Sequence, residues 1–373
     1  MPEITIASRI RTSPFYDATL DAGVASFTVY NHMFMPSGYG DPEAEYRRLT
    51  EGVALWDVAV ERQVEIAGPD AAALSQFVSA RDLTGLRVGR ARYAPMCDHD
   101  GRLVNDPVVL RVDDDRYWFS LADSDVLMWV RALAGLRGDD VEVSEPDVSP
   151  LAIQGPLAND LASDLFGREL IDSLGFFHHA RVDLDGIPMV ICRSGWSKQG
   201  GFELFLTDGS RGVELWDRVM DAGAAYGIGP GAPNSQERIE SGLLSFGSDH
   251  DADTDPLEAG LGAYTSLEAG IDFCGKTALI DRTRRGTRRP IVNVTIDGEF
   301  EPTTRPWVAL VDGDAVGELR SAAWSPRLDA WIGLAQLATP HHEPGSTIAA
   351  RTESGVDVHA TVTDEPFGTI RTH

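Results

Sequence analysis

Cysteine is scarce in this chain: 373 residues carry three, Cys97, Cys192 and Cys274, far apart and without a C-x-x-C pair. Neither a disulfide framework nor a thiolate metal site is expected from that spacing, and a reducing, cytoplasmic compartment is. Long hydrophobic runs are absent too. No stretch approaches the roughly 18 uninterrupted apolar residues that a membrane helix needs, and MPEITIASRIRTSPFYD lacks the apolar core of a signal peptide. Positive charge is in short supply, with 32 Lys+Arg against 58 Asp+Glu and a formal net charge of −26. Such a field repels phosphate, which argues against nucleic acid or an anionic membrane as partner. A small anionic substrate held in a local pocket remains allowed.

The usual catalytic signatures are missing as well. There is no Gly-rich phosphate loop, no dinucleotide fingerprint after a strand, no H-E-x-x-H and no G-x-S-x-G. The pairs His178-His179 and His341-His342 are adjacent, a spacing that turns the two rings apart, so metal ligation is not expected.

What is present is a globular chain, 43% hydrophobic, long enough for two or three domains. Helical spacing runs through EAEYRRLTEGVALWD (43–57), with a stop near Gly52, and through PDAAALSQFVSA, SDVLMWVRALAG, LANDLASDLFG and VELWDRVMDAGAAYG. Between them lie alternating strands: RQVEIAG, the meander RARYAPMCDHDGRLVNDPVVLRVDDDRYWFSLA, a strand through VEVSEPDVSPLAIQGP, a hairpin in ARVDLDGIPMVICRSG, and GGFELFLT. This order predicts an α+β core of two joined subdomains. The one dense basic run, DRTRRGTRR (281–289), reads as a solvated linker. The short strands of 290–373 read as a small all-β domain.

Three polar or glycine-rich segments interrupt apolar surroundings. Gly101–Pro107 carries Asn105 and Asp106 between two strands, where a hairpin turn competes with a binding role. Ser194–Phe205 carries Gly200-Gly201, which would let a backbone approach a flat ligand, and Glu203 inside an apolar strand. A carboxylate there needs a core arginine or donors from a ligand. Arg238–Gly247 carries Arg238 and Glu240, for which a structural ion pair is the default.

Together these segments resemble the folate-dependent aminomethyltransferase family, the T-protein of glycine cleavage and its relatives. ALWDVAVERQVEIAGPDAAALSQFVSARDL (54–83), GRLVNDPVV, GWSKQGGFELF, RIESGLLSFGSDHDADTDPLEAGLG, DFCGKTAL (272–279) and VGELRSAAWSPRLDAWIGLAQL (316–337) resemble that family's motifs in order across nearly the whole chain. Within it, VYNHM (29–33), WDVAVERQVEI (56–66), SKQGGFE (197–203) and PNSQERIESGLLS (233–245) are nearest the dimethylsulfoniopropionate demethylase branch. Two departures from T-protein agree: its Asp-Asp pair is Asn105-Asp106 here, and Asn234 replaces the first arginine of a pair of which Arg238 remains. One residue departs from the branch, for Phe205 stands where a tyrosine hydroxyl is expected.

The resemblance implies a three-domain fold with a central folate channel and a C-terminal β-barrel-like domain. Residues 1–52 and 147–285 would form the first α+β subdomain, 53–146 the second and 286–373 the β domain. It also implies methyl transfer from the sulfonium of dimethylsulfoniopropionate to N5 of tetrahydrofolate, a displacement governed chiefly by positioning. Another onium or methylamine donor, such as glycine betaine, or a non-catalytic folate-binding role stays open. Glu203 would accept the pterin N–H donors and Asp106 would lie near N5 as the catalytic group. Tyr93 and Asn105 would complete the folate site. Tyr30 and Trp196 would cage the cation, with His32 and Lys198 reaching its carboxylate. The expected partner is a small sulfonium or ammonium acid. A lipoyl carrier protein, itself acidic, is not expected, and a homodimer is left open. Three collinear segments leave no room for an appended flavin domain, so oxidative demethylation is not expected.

Overall fold

A computed structural model describes residues 5–286, 288–298, 300, 305–352, 355–363 and 367. Two β-sheets lie face to face with helices on their outer sides. The larger runs His179–Leu184, Ile187–Cys192, Gly201–Leu206, Ser149–Gln154, Ala54–Asp57 and Gly229–Gly231. The smaller runs Glu142–Ser144, Gln63–Ala67, Arg116–Ser120, Val108–Asp113 and Arg90–Tyr93.

Strand alternation dictates this layering. In Gly201–Leu206, residues Phe202, Leu204 and Leu206 point to the outer core, where Leu161 and Ala162 of helix Ala158–Phe166 and Leu215, Trp216 and Val219 of helix Gly212–Gly223 meet them. Each such side chain contributes about 2 kcal/mol on burial. Glu203 and Phe205 point the other way, toward the smaller sheet. There Phe205, Val190 and Cys192 pack on Ala91, Leu110, Val112 and Trp118. The smaller sheet buries Val64, Ile66, Tyr117 and Phe119 under helices Ala71–Val78 and Val126–Arg137. Local chemistry sets the helix ends. Asp41 accepts the Ala44 N–H at 3.0 Å with Pro42 in the first turn, and Gly138 closes Val126–Arg137 at φ 73°.

Two expectations shift. Ala54–Asp57 pairs with Ser149–Gln154 in the larger sheet, so the crossing into the smaller sheet falls after Asp57 rather than at residue 52. VEVSEPDVSPLAIQGP is two strands, Glu142–Ser144 in the smaller sheet and Ser149–Gln154 in the larger; its Pro-containing middle is the return crossing.

The C-terminal strands close a six-stranded barrel in the order Ile291–Asp297, Ala330–Leu337, Asp314–Ser325, Trp307–Val311, Thr347–Arg351, Asp357–Val362. Trp307, Leu319, Leu337 and Ile348 fill it. Half of the basic run ends helix Lys276–Arg285 rather than forming a linker. Arg282, Arg288 and Arg289 then line a cleft of about 320 Å³ that also holds Asp251, Asp253, Glu258 and Glu318, so opposite charges face one another there.

The short helix Ser235–Glu240 joins barrel to body, and it overturns the pairing expected of Arg238 with Glu240. Arg238 reaches Asp249 at 2.5 Å and Ser321 at 2.8 Å. Glu240 accepts from Tyr46 Oη and Ser325 Oγ, with Arg327 at 3.7 Å. On a single helical turn positions i and i+2 face apart, so each finds a partner elsewhere.

Candidate functional site

The chain crosses from the larger to the smaller sheet through 58–62, and this places Glu61 at the seam between them. Glu203 enters the seam from the larger sheet, directly opposite Cys192 in the ladder. Asp106 and Tyr93 enter from the smaller sheet's side, joined by a 2.7 Å bond from Tyr93 Oη to Asp106 Oδ2. Tyr30, at the end of strand Ser26–Tyr30, lies within electrostatic reach of Asp106 and Glu61. Its position is held by Asn31, in the left-handed region at φ 48°. The Asn31 amide donates to Val60 O at 3.0 Å and Ala122 O at 2.9 Å and accepts from Ser124 N.

Three carboxylates therefore meet at one seam with few donors. Glu203 accepts from Ser194 Oγ, and Glu61 accepts from Ser120 Oγ at 3.2 Å. Asp106 Oδ1 is buried without any hydrogen-bond partner. Among the described residues no lysine or arginine pairs with any of the three. Burial is the chief cause that raises all three above the ordinary carboxylate range. Glu61 is raised further by the charge of Glu203 and then of Asp106, while Ser194 draws Glu203 partly down. Two carboxylates that repel in a dry seam favour sharing one proton. Burial and the neighbouring Asp106 also push the Tyr30 and Tyr93 hydroxyls well above the tyrosine range.

Glu203, Asp106, Tyr93 and Tyr30 thus come together, and other expected site residues do not join them. The Asn105 amide is consumed internally: Nδ2 donates to Ala122 O and Ser124 Oγ, each at 2.9 Å, and Oδ1 accepts from Ala122 N. With both donors used, Asn105 clamps the 122–124 loop instead of offering donors to folate. His32 is exposed and sits 3.2 Å from the equally exposed Asp125. The Lys198 ammonium donates to Ser241 O, tying its loop to the 235–240 helix. Trp196 is half-buried on that loop. The glycines serve the protein itself: a Cβ on Gly201 would stand 2.2 Å from Ile153 O, and one on Gly195 2.1 Å from the Gln154 amide. Gly201 admits the neighbouring strand and Gly195 the Gln154 side chain, while Gly200 has nothing nearer than Gly155 O at 4.0 Å. Phe205 shares Glu203's face but is fully buried against Trp118, ring centroids 6.3 Å apart.

Glu61 and His250 are the residues that the motif reading passes over. Glu61 follows the apolar Val58-Ala59-Val60 but precedes Arg62 and Gln63, so its sequence reads as the start of a polar turn. His250 is flanked by two aspartates in a turn-like sequence, which hides that it is wholly buried, 3.7 Å from Asp106.

The two facing sheets and the closed barrel make up a fold that known proteins share. The GCVT N-terminal domain matches residues 15–269 and the glycine cleavage T-protein C-terminal barrel domain matches 289–368. The chain belongs to this T-protein, or aminomethyltransferase, family, as its motifs indicated. It is 41% identical to the dimethylsulfoniopropionate demethylase of Ruegeria pomeroyi, over 95% of this chain and 97% of that one. The probable aminomethyltransferase of Halobacterium salinarum is 32% identical, over 96% and 99%. The crystal structure of glycine cleavage system aminomethyltransferase T from Bartonella henselae superposes with a TM-score of 0.85 at 21% identity, covering 96% and 98%. That likeness establishes the shared fold. No described helix is long and apolar enough to cross a membrane.

Proposed function

We propose that this protein is a demethylase that moves a methyl group from a small onium acid to N5 of tetrahydrofolate, with dimethylsulfoniopropionate as the first donor to test. The carrying observation is the convergence of Glu61, Asp106 and Glu203 with no lysine or arginine among the described residues paired to them. A seam built this way is complete only when a ligand brings N–H donors and a cationic centre. The pterin edge supplies adjacent donors that one carboxylate accepts in pairs, which suits Glu203. Asp106, with a free oxygen, faces the charge that develops when a neutral amine takes the methyl and a neutral thioether leaves. Tyr93 orients that carboxylate, and Tyr30 offers a ring face to the onium. The 41% identity to a dimethylsulfoniopropionate demethylase supports the same reading.

A quaternary ammonium donor such as glycine betaine is the second reading, since the Tyr30 ring would face an ammonium as readily as a sulfonium. A lipoyl carrier is not the partner in either case, since a chain at −26 repels an acidic protein.

The test is turnover of purified protein with tetrahydrofolate and a panel of sulfonium and ammonium acids. Formation of 5-methyltetrahydrofolate from the sulfonium acid is expected; none from any donor ends the enzyme reading, and turnover of betaine alone selects the second. Glu203→Gln should weaken tetrahydrofolate binding about tenfold to a hundredfold, the loss of a charged hydrogen bond. Unchanged affinity would remove Glu203 from the site.

A further inference from the structure

His250 has no assigned task, and its surroundings are unusual for a histidine. The side chain is fully inaccessible, and neither Nδ1 nor Nε2 has a hydrogen-bond partner. Its ring is fixed edge-on against Phe246, centroids 5.3 Å apart at 86°. A bond from Gly247 N to His250 O at 2.7 Å closes the turn that carries it. A buried imidazole with both nitrogens idle costs free energy unless something else uses it. The nearest candidate is Asp106 Oδ2, 3.7 Å from Nε2, on a carboxylate whose other oxygen is also idle.

We propose that His250 is a positioning residue that acts through Asp106: as the basic group beside it, it keeps this carboxylate ionised toward the reacting amine. The inference rests on the methyl-transfer reading above. In that reaction the amine nitrogen forms a bond to the methyl carbon while the carbon–onium bond breaks, and the electron pair leaves with the donor. The nitrogen then carries a positive charge and its original proton. Asp106 accepts that proton, which leaves the methylated nitrogen neutral. Everything else facing Asp106 lacks positive charge. Tyr93 and Tyr30 are neutral, Glu61 and Asp249 are acidic, and Arg238 is engaged by Asp249 and Ser321. His250 is thus the only basic group among the described residues in position for the task.

His250→Gln fills similar space and hydrogen-bonds but brings no basic group to Asp106. In this variant the acid limb of the kcat/KM pH profile should move to higher pH by about one unit, a tenfold loss on the limb, with tetrahydrofolate affinity nearly unchanged. A profile that overlays the wild type in a folded, folate-binding variant overturns the proposal. A second measurement needs no histidine variant. In the protein labelled with 13C-histidine, the titration of the His250 resonance should shift on Asp106→Asn, and an unshifted titration refutes the coupling. Should wild-type protein neither bind nor methylate tetrahydrofolate, the functional reading falls, while the NMR titration still decides whether the two side chains act as a pair.

Discussion

At the scale of single residues, the seam holds more negative charge than its donors satisfy, and Glu61 is the clearest instance. Its carboxyl is raised by burial and by Glu203. A raised carboxyl contributes stability below the unfolded value of about 4.3, and that contribution is lost as pH climbs through the folded value. Glu61→Gln keeps the shape and removes the repulsion. It should therefore stabilise the ligand-free protein by about 1 kcal/mol at pH 8 and leave it unchanged at pH 5, while catalysis suffers. Thermal melts at the two pH values check this, and a loss of stability at both would mean that the Glu61 charge is compensated after all. The family resemblance singled out Glu203, Asp106, Tyr93 and Tyr30, and the structure brings these four to one seam. The sequence could not separate Asn105 from these, because an amide beside a buried carboxylate looks alike whether it faces a ligand or a loop carbonyl. His250 was illegible for the opposite reason: its burial comes from Phe246 and from Asp106, about 140 positions upstream, and no local pattern encodes that contact.

At the scale of elements, most helices and hairpins followed from periodicity and turn chemistry, since those signals are local, but helix Lys276–Arg285 did not, its basic end reading as a linker. Sheet membership did not, because Ser149–Gln154 sits between Gly201–Leu206 and Ala54–Asp57, partners far away in sequence. The glycine loop shows how a correct motif carries a wrong local inference. Gly201 is read easily as a place of close approach, but what approaches is the strand Ser149–Gln154. Its φ of 147° and a Cβ placed 2.2 Å from Ile153 O leave no room for a side chain. Gly201→Ala should cost about 3 kcal/mol, from backbone strain and a displaced strand, and should dislodge Glu203 two residues on. A urea unfolding curve with an unchanged midpoint would contradict this packing, as would wild-type tetrahydrofolate affinity in the same variant.

At the scale of the whole molecule, net charge and the seam act in one direction. Burial raises Asp57 to about 6 and Glu237 to about 7, and Glu61, Asp106 and Glu203 are raised as well. Each favours the folded state below about pH 4 and loses that contribution as pH rises toward 7. Glu145 and Asp251, lowered by Arg62 and Arg320 against an opposing burial cost, work in reverse and give way only on strong acidification. Self-repulsion among 58 acidic residues also grows with pH. The ligand-free protein should therefore melt highest near pH 5 and lower at pH 8, with added salt recovering part of the difference. A tetrahydrofolate concentration one hundred times its Kd adds about 2.7 kcal/mol to the folded state. With Glu203 as the proposed acceptor of the pterin N–H donors in its ionised form, the gain in melting temperature should be larger at pH 8 than at pH 5. An equal gain at both would place the bound pterin away from the three carboxylates, and the acidic seam would then be a stability cost without a ligand to offset it.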